Sequence, residues 1–388
     1  MEQYVYFSIV FFSLIIFFLY IYIIYEKIAE VHKNKKIEKY KREVTPYVNF
    51  NINKVINGQD ITSDILKNIK RYCKNKYKRE IIRKRLVYYL ENFKGDFSQN
   101  ITKVCEYIGI VQYEINNFQH GDNFKKALSA KRLGQFRSKN AIEPLLEESD
   151  ISDNDVKYNI LLALAKIGEE ETFIRAFENV DSSVGLSERG LIEIVDSFEG
   201  DKNKIYKKMI HSDNSLVARV FIKSAGNYKH ASLSRDISKY LFSEDKERRI
   251  AAVKAIGSIG DARYLDDVIK LLKDSEWEVR AVTAKALNNF TNSKILIPLA
   301  RSLSDNKWYV RYNAAMSILN YEKEIGMSII SYAFQRKDKF VRNIIISAIE
   351  NSSNNKLYLY ETSKDNTKRA VECITMEKKD EEYEYNVN

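Results

Sequence analysis

DSEWEVRAVTAKAL at residues 274–287 and DNKWYVRYNAAMSI at residues 305–318 share the pattern that decides the fold. Each segment begins with Asp, continues through Trp and a Val-Arg pair, and ends in a run of small and apolar residues. The Val-Arg pair recurs at a constant spacing of 31 residues, at Val279-Arg280, Val310-Arg311 and Val341-Arg342. A fixed period of this length indicates a repeat architecture rather than a duplicated active site.

Each repeat has the pattern of two amphipathic helices. Apolar residues in 262–273 fall at helical spacing, and a second helical stretch follows from about Glu276. Asp274 and Asp305 are placed to cap that second helix by accepting a hydrogen bond from a free backbone amide. A column of small residues recurs behind the Val-Arg pairs and predicts close packing of neighbouring helices: Ser224, Ala255, Ala286, Ser317 and Ala348. A single helix pair cannot bury both of its faces, so the pairs are expected to stack into a solenoid.

VRAVTAKAL, VRYNAAMSIL and RRIAAVKAIGSIGD (residues 248–261) resemble the HEAT-repeat family in its short bacterial form. The resemblance implies an all-α, right-handed α-solenoid of about seven HEAT-like helix pairs over residues 124–352, weaker in 187–247. In that family, Asp and Arg at the matching positions form a ladder between adjacent repeats. The resemblance therefore implies a structural ladder made of Asp274, Arg280, Asp305, Arg311 and Arg342.

Residues 3–25 contain no charged side chain and are long enough, as a helix, to cross a hydrocarbon core of about 30 Å. They predict a single uncleaved transmembrane helix; a cleaved signal peptide is the alternative. Basic residues follow this segment and none precede it, so the N-terminus is expected outside and the rest of the chain in the cytoplasm. A basic cluster in this flank is expected to face lipid, although it could serve only as a stop-transfer signal: Lys33, Lys35, Lys36, Lys39, Lys41 and Arg42.

The remaining divisions follow from composition. Residues 26–43 are expected to form a basic juxtamembrane stalk, 44–123 a helical N-terminal cap region, and 353–388 a poorly patterned, acidic tail. This layout is similar to that of membrane-anchored bacterial HEAT-repeat proteins. The similarity implies a cytoplasmic interaction module, encoded in some lineages beside a membrane glycosyltransferase, so its partner could be that enzyme or other envelope machinery.

The sequence lacks the motifs of nucleotide, dinucleotide, zinc-protease and serine-hydrolase sites. Cys73, Cys105 and Cys373 are isolated, and no Cys or His pair has zinc-ligand spacing, so we expect no disulfide framework, no metal, no cofactor and no catalytic residue. Other HEAT-like proteins are hydroxylases, lyases or glycosylases. An enzyme that uses the solenoid groove is therefore the alternative to a non-catalytic scaffold.

Trp277 and Trp308 occupy the same position in successive repeats and are expected to stand side by side, with Tyr309 next to them. Exposed aromatic residues are frequent anchors for protein partners, so these three are the candidate partner-binding residues. Alternatively, each ring simply covers its neighbour's small-residue column. The basic region 67–85 leaves nucleic-acid binding as a lesser alternative, although a nearby membrane anchor favours acidic lipid or a membrane-associated protein as the partner.

Overall fold

The computed structural model of the 388-residue chain describes residues 2–59, 61–180, 185–321 and 339–351. Over these ranges the ordered elements are helices, with no β-strand. The chain divides into two compact units, Met1–Glu169 and Glu170–Asn388. The solenoid expected over 124–352 spans this division, and the acidic tail at 353–388 lies outside the described residues.

The first unit consists of one very long helix followed by seven shorter ones. Their bounds are α1 (Glu2–Ile56), α2 (Ser63–Cys73), α3 (Lys76–Asn92), α4 (Asp96–Tyr107), α5 (Ile110–His120), α6 (Asn123–Phe136), α7 (Ile142–Glu147) and α8 (Asn154–Ile167). Helix α3 packs on α1, and α6 packs on both α5 and α8.

Helix α1 passes through the predicted span, the predicted stalk and the start of the predicted cap region without a break. Its apolar part is long and apolar enough to cross a membrane and is not buried against the rest of the chain. Burial begins at Val44 and recurs at Val48 and Ile52. Because these positions are four residues apart, they form one stripe on the helix, which packs on α3. The expected boundaries at residues 25 and 43 therefore do not coincide with helix ends.

The second unit begins with two helices of nine residues each, after which a shorter helix is followed by a longer one in each pair up to residue 319. Its helices are α9 (Glu170–Glu178), α10 (Glu188–Asp196), α11 (Lys202–Met209), α12 (Ser215–Tyr228), α13 (Ser234–Ser238), α14 (Lys246–Ile259), α15 (Leu265–Lys270), α16 (Trp277–Ala286), α17 (Leu296–Ser302), α18 (Trp308–Leu319) and α19 (Lys339–Asn351). The second helix of each pair packs on that of the next, from α10 through α19. The all-α solenoid predicted from the 31-residue spacing is confirmed.

Glycine and alanine set the spacing between stacked helices. A Cβ atom built on Gly226 of α12 would lie 2.6 Å from the Cα of Ala255 in α14. One repeat later, a Cβ on Gly257 would lie 2.7 Å from the Cβ of Ala286 in α16. Neither distance leaves room for a side chain, since ordinary carbon contacts are about 3.5–4.0 Å. At Ala255 and Ala286 the small-residue column therefore meets glycine on the preceding helix, and both partners are needed for this close approach.

The capping role expected of Asp274 and Asp305 is shifted by one residue. Helix α16 begins at Trp277, and the Asp274 carboxylate accepts a hydrogen bond from the amide of Glu276, which precedes the helix, at 2.9 Å. Asp305 accepts from the amide of Lys307, the residue before α18, at 2.8 Å. The side chains thus order the turns that lead into the helices, and both carboxylate oxygens of each also accept hydrogen bonds from an arginine.

Candidate functional site

Arginine–aspartate pairs join successive repeats of the second unit. Arg249 of α14 donates from Nε and Nη2 to the two carboxylate oxygens of Asp274, each at 2.9 Å. Arg280 of α16 donates in the same way to Asp305, at 2.8 and 3.2 Å. Two parallel bonds from one guanidinium fix direction as well as distance. Arg249 was not among the predicted ladder residues, although its position 31 residues before Arg280 could have identified it.

The same arginines also hold their own turns. The Nη1 of Arg280 donates to the carbonyl oxygens of Asp274 and Ser275, at 2.8 and 3.0 Å. Arg311 of α18 donates to the carbonyl oxygen of Asp305 at 2.8 Å. Each of these turns is thereby held by an arginine of its own repeat and by one from the repeat before. Arg342 lies half-buried on α19, and the turn that precedes it falls outside the described residues.

Arg280 and Asp305 remain ionised at neutral pH. Burial raises the pKa of the Asp305 carboxyl, but hydrogen bonds from Arg280 and from the Lys307 amide outweigh it and hold that pKa below its usual value. In return, the hydrogen bond to Asp305 raises the pKa of the Arg280 guanidinium. Both side chains are about 13% exposed. A paired charge at this depth becomes costly when its partner is removed.

An aromatic cluster lies beside this ladder and consists of Trp277, Trp308, Tyr309 and Tyr312. Trp277 of one repeat stacks on Tyr309 of the next, with ring centroids 5.7 Å apart and an interplanar angle of 24°. Tyr309 meets the edge of Trp308 at 5.1 Å, and Trp308 stacks on Tyr312 at 4.8 Å. Trp308 is 46% exposed and Tyr309 is 59% exposed. The cluster is thus ordered by ring contacts and open to solvent.

The structure specifies the ring contacts within the cluster. The ring stacked on Trp277 is that of Tyr309, which also contacts Trp308, so Tyr309 joins the two tryptophans that were predicted to stand side by side. Tyr309 follows Trp308 directly, so its side chain points about 100° further around the helix, toward the preceding repeat. Tyr312 was not predicted; it lies four residues after Trp308 and therefore shares its helix face.

The six predicted lipid-facing cations are all exposed along the middle of α1. Lys41 lies 3.5 Å from Glu38 on the same helix, and the Nζ of Lys36 lies 6.0 Å from the ring centre of Tyr40. The others are Lys33, Lys35, Lys39 and Arg42. These positions are compatible with a basic flank facing anionic headgroups.

Several cations of the basic region 67–85 are held by the first unit itself. Lys78 pairs with Glu43 of α1 at 2.6 Å, and Arg83 pairs with Glu80 at 2.6 Å. Arg85 hydrogen-bonds Asn49 of α1. A nucleic-acid groove needs cations that remain available to successive phosphates. Much of this region instead attaches α3 to α1.

One polar trio in the second unit was not anticipated from the sequence. The Nδ1 of His211 lies 2.8 Å from the hydroxyl of Tyr240, and its Nε2 lies 3.3 Å from a carboxylate oxygen of Asp236. A hydroxyl, an imidazole and a carboxylate in this order occur in nucleophilic enzymes. Here burial raises the pKa of the Tyr240 phenol, so the hydroxyl stays protonated at neutral pH and is a poor nucleophile. The trio links His211, two residues after α11, to Asp236 of α13 and to Tyr240, two residues after α13.

No group of three or more His, Cys, Asp and Glu side chains able to hold a metal ion occurs among the residues that the structure describes.

The repeat geometry defines a HEAT-type solenoid, and the comparison with known families agrees. Two overlapping stretches, residues 203–288 and 265–350, match the family model for HEAT repeats. Together the two matches cover residues 203–350 and identify HEAT repeats in this part of the chain. The matched range lies within the predicted repeat region and includes part of 187–247, where the sequence pattern is weak. No curated protein matches the chain.

Solved structures with a similar fold share little sequence with this chain. An engineered protein is 17% identical over 73% of this chain and 87% of its own, with a TM-score of 0.35. Kap121p is 15% identical over 79% of this chain, which spans 39% of Kap121p, with a TM-score of 0.45. The CpcE–CpcF phycocyanin lyase complex from Nostoc sp. PCC7120 is 16% identical over 61% of this chain and 94% of its own, with a TM-score of 0.27. These similarities carry no information about ligands or partners of this chain.

Proposed function

We propose that this protein is a membrane-anchored, non-catalytic HEAT scaffold that binds a protein partner through the aromatic cluster. The observation that carries the proposal is the exposure of Trp308 and Tyr309 within a set of stacked rings. Large aromatic side chains that are already ordered lose little conformational freedom on binding, which favours them as binding anchors.

The surroundings of the cluster support docking of a folded or extended protein segment. The turns that lead into Trp277 and Trp308 are each fixed by two arginines, Arg249 and Arg280 for the first and Arg280 and Arg311 for the second. Binding to such a rigid edge requires little rearrangement of the scaffold. The partner chemistry that fits is an apolar or aromatic side chain that covers Tyr309.

The membrane part of the proposal rests on α1. Its exposed apolar segment, followed by six exposed cations, supports a single crossing with the N-terminus outside and both units in the cytoplasm. On this proposal the partner is membrane-associated, and the resemblance stated above makes a membrane glycosyltransferase the first to examine.

Site-specific photocrosslinking in native membranes tests the docking surface. A photoreactive amino acid at position 309 should capture one reproducible protein, and the substitution Trp308→Ala should reduce its yield several-fold when the probe stays at 309. The matched control is a probe at Phe242, which is 57% exposed in the same unit but outside the cluster. Equal capture from positions 242 and 309, or none from 309, would contradict docking at the cluster.

Protease treatment tests the anchor and its orientation. Added to intact cells, a protease should leave residues after Tyr25 intact, whereas it should digest them in inverted membrane vesicles. Digestion on intact cells would refute the orientation. Release of the uncut protein by high salt or carbonate would refute the membrane crossing itself.

A further inference from the structure

A cleft of about 430 Å³ lies in the first unit, between the stalk part of α1, the first turns of α3, and helices α5 and α6. Its charged lining is unbalanced. Five cationic side chains and two carboxylates line it, which leaves an excess of three positive charges. The cations are Lys33, Lys76, Arg79, Arg83 and Arg132, and the carboxylates are those of Glu80 and Glu114. These residues come from four helices and are far apart in the sequence.

Two of the arginines are matched by the two carboxylates. Arg83 donates to both oxygens of Glu80, at 2.6 and 2.9 Å. Arg132 donates to Glu114 at 3.1 Å, and Glu114 is only 2% exposed and also accepts from Ser129. Burial raises the pKa of Glu80, but the hydrogen bonds from Arg83 outweigh it and lower that pKa overall, so Glu80 stays ionised at neutral pH. Both carboxylates of the lining are therefore already paired with arginines.

The other three cations, Lys33, Lys76 and Arg79, form no ion pair within the part of the chain that the structure describes. The guanidinium of Arg79 lies 3.6 Å from the ring centre of Tyr113 and donates from Nη1 to the carbonyl oxygen of Cys73 at 3.1 Å. These two contacts fix its position, leaving further N–H groups for another acceptor. The Nε of Arg132, in the same lining, is buried and has no hydrogen-bond partner.

From this arrangement we infer that the cleft is a binding site for a phosphate group, with Arg79, Lys76 and Lys33 as its principal ligands. A phosphate supplies the negative charge and the acceptor oxygens that the lining lacks, and a fixed guanidinium binds it through paired hydrogen bonds. The volume is suitable for a small ligand. The two arginine–glutamate pairs shape the cleft without occupying it.

The phosphate can come from a lipid headgroup or from a soluble compound. Lys33 is eight residues beyond Tyr25, or about 12 Å along α1, whereas the headgroup layer on each side of a bilayer is about 5–7 Å thick. A lipid must therefore project its phosphate beyond that layer, while a soluble phosphate meets no such limit. The lipid source rests on the membrane anchor proposed above, whereas the soluble source does not.

Binding measurements on the full-length protein in neutral detergent test the site. One arm uses equilibrium dialysis with inorganic phosphate, and the other uses phosphatidylglycerol in mixed micelles, with phosphatidylcholine as the uncharged reference. The test variant is Lys76→Gln/Arg79→Gln. The matched control, Lys103→Gln/Lys131→Gln, removes the same charge from exposed positions of the same unit outside the cleft.

We expect the test variant to weaken binding at least about tenfold, because two charge-assisted hydrogen-bond donors are lost, and the control to weaken it less than about twofold. Lys33→Gln, at an exposed position on α1, should weaken binding without affecting the fold and so covers the case in which the double variant misfolds. Selective loss of inorganic phosphate binding assigns a soluble ligand, and selective loss of phosphatidylglycerol alone assigns a lipid.

Absence of binding to both probes, or equal weakening by the test and control variants, would overturn the inference. A protein that proved to lack the membrane anchor would still bind inorganic phosphate here. Docking at α16 and α18 is tested separately, by the photocrosslinking probe at position 309 and the Trp308→Ala variant. The outcomes for the phosphate site and for the proposed function can therefore be told apart.

Discussion

The spacing between stacked helices can be tested by exchanging Gly257 and Ala286. A Cβ on Gly257 would lie 2.7 Å from the Cβ of Ala286, so Gly257→Ala requires α14 and α16 to separate by about 1 Å to restore an ordinary contact. Overpacking of this kind costs about 1–3 kcal/mol, offset by up to about 1 kcal/mol because Ala favours a helix over Gly. We expect a net loss of about 1–2 kcal/mol in the free energy of unfolding.

The reverse change, Ala286→Gly, costs about 1 kcal/mol of helix propensity and removes a buried methyl group. In the double variant the two propensity changes cancel and the closest clash disappears, leaving contacts of 3.2 and 3.3 Å to the backbone of residue 286. The double variant should therefore be within about 1 kcal/mol of the natural protein. The loss of stability in the double variant should therefore be about 2 kcal/mol smaller than the sum of the losses in the two single variants. This difference is well above the roughly 0.5 kcal/mol by which independent sites depart from additivity.

Urea unfolding followed by tryptophan fluorescence suits this test, since the two tryptophans of the sequence, Trp277 and Trp308, begin α16 and α18. Full-length protein in neutral detergent is the sample. Ser258→Ala is the matched control on α14, half-exposed and adjacent to Gly257, and should change stability by less than about 0.5 kcal/mol. Additivity of the two single changes within about 0.5 kcal/mol would refute the steric explanation of the spacing.

Two further predictions concern acid stability and cysteine reactivity. Because the folded-state pKa of Asp305 is depressed, its stabilisation is present above the unfolded value of about 3.9 and is lost as pH falls through the folded pKa. Asp305→Asn should therefore lower the urea midpoint more at pH 7 than at pH 3; an equal loss at both would contradict the ion-pair account. Burial raises the pKa of Cys73 to about 12 and also raises that of Cys105, so neither thiol should react with iodoacetamide at pH 8 until urea unfolds the first unit. Mass spectrometry of the cysteine peptides measures this, and rapid labelling in the native protein would show that the packing around α2 and α4 is looser than described.

The repeat architecture could be predicted because its signal is local and periodic. The 31-residue spacing of the Val-Arg pairs identifies the second helices without any knowledge of long-range contacts. The arginine–aspartate ladder followed from the HEAT resemblance, and Arg249, which the prediction omitted, lies one period upstream. The stacking of Trp277 on Tyr309 could not be read from spacing, because it depends on how two helices are rotated against each other.

Features of the first unit were harder to foresee. The cleft joins Lys33, Arg79, Tyr113 and Arg132, which have no common period and meet only because α1, α3, α5 and α6 pack together. The sequence also gave no sign that α1 continues through the expected boundaries, since the change from apolar to basic residues alters the surroundings of a helix without altering its backbone. Even Pro46 lies within that helix, although proline has no backbone N–H and so removes one backbone hydrogen bond of the helix.

In the proposed membrane topology, α1 continues without a break from the membrane segment to the helices that pack on it. From Tyr25 to Val44, the first residue of the buried stripe, nineteen residues advance the helix by about 29 Å and turn it about five times. Removing one residue between them would turn helices α2–α8 by about 100° relative to residues 3–25, while removing seven would nearly restore their direction and bring them about 10 Å closer to residues 3–25. The number of residues between Tyr25 and Val44 therefore sets both the distance and the rotation of helices α2–α8 relative to residues 3–25.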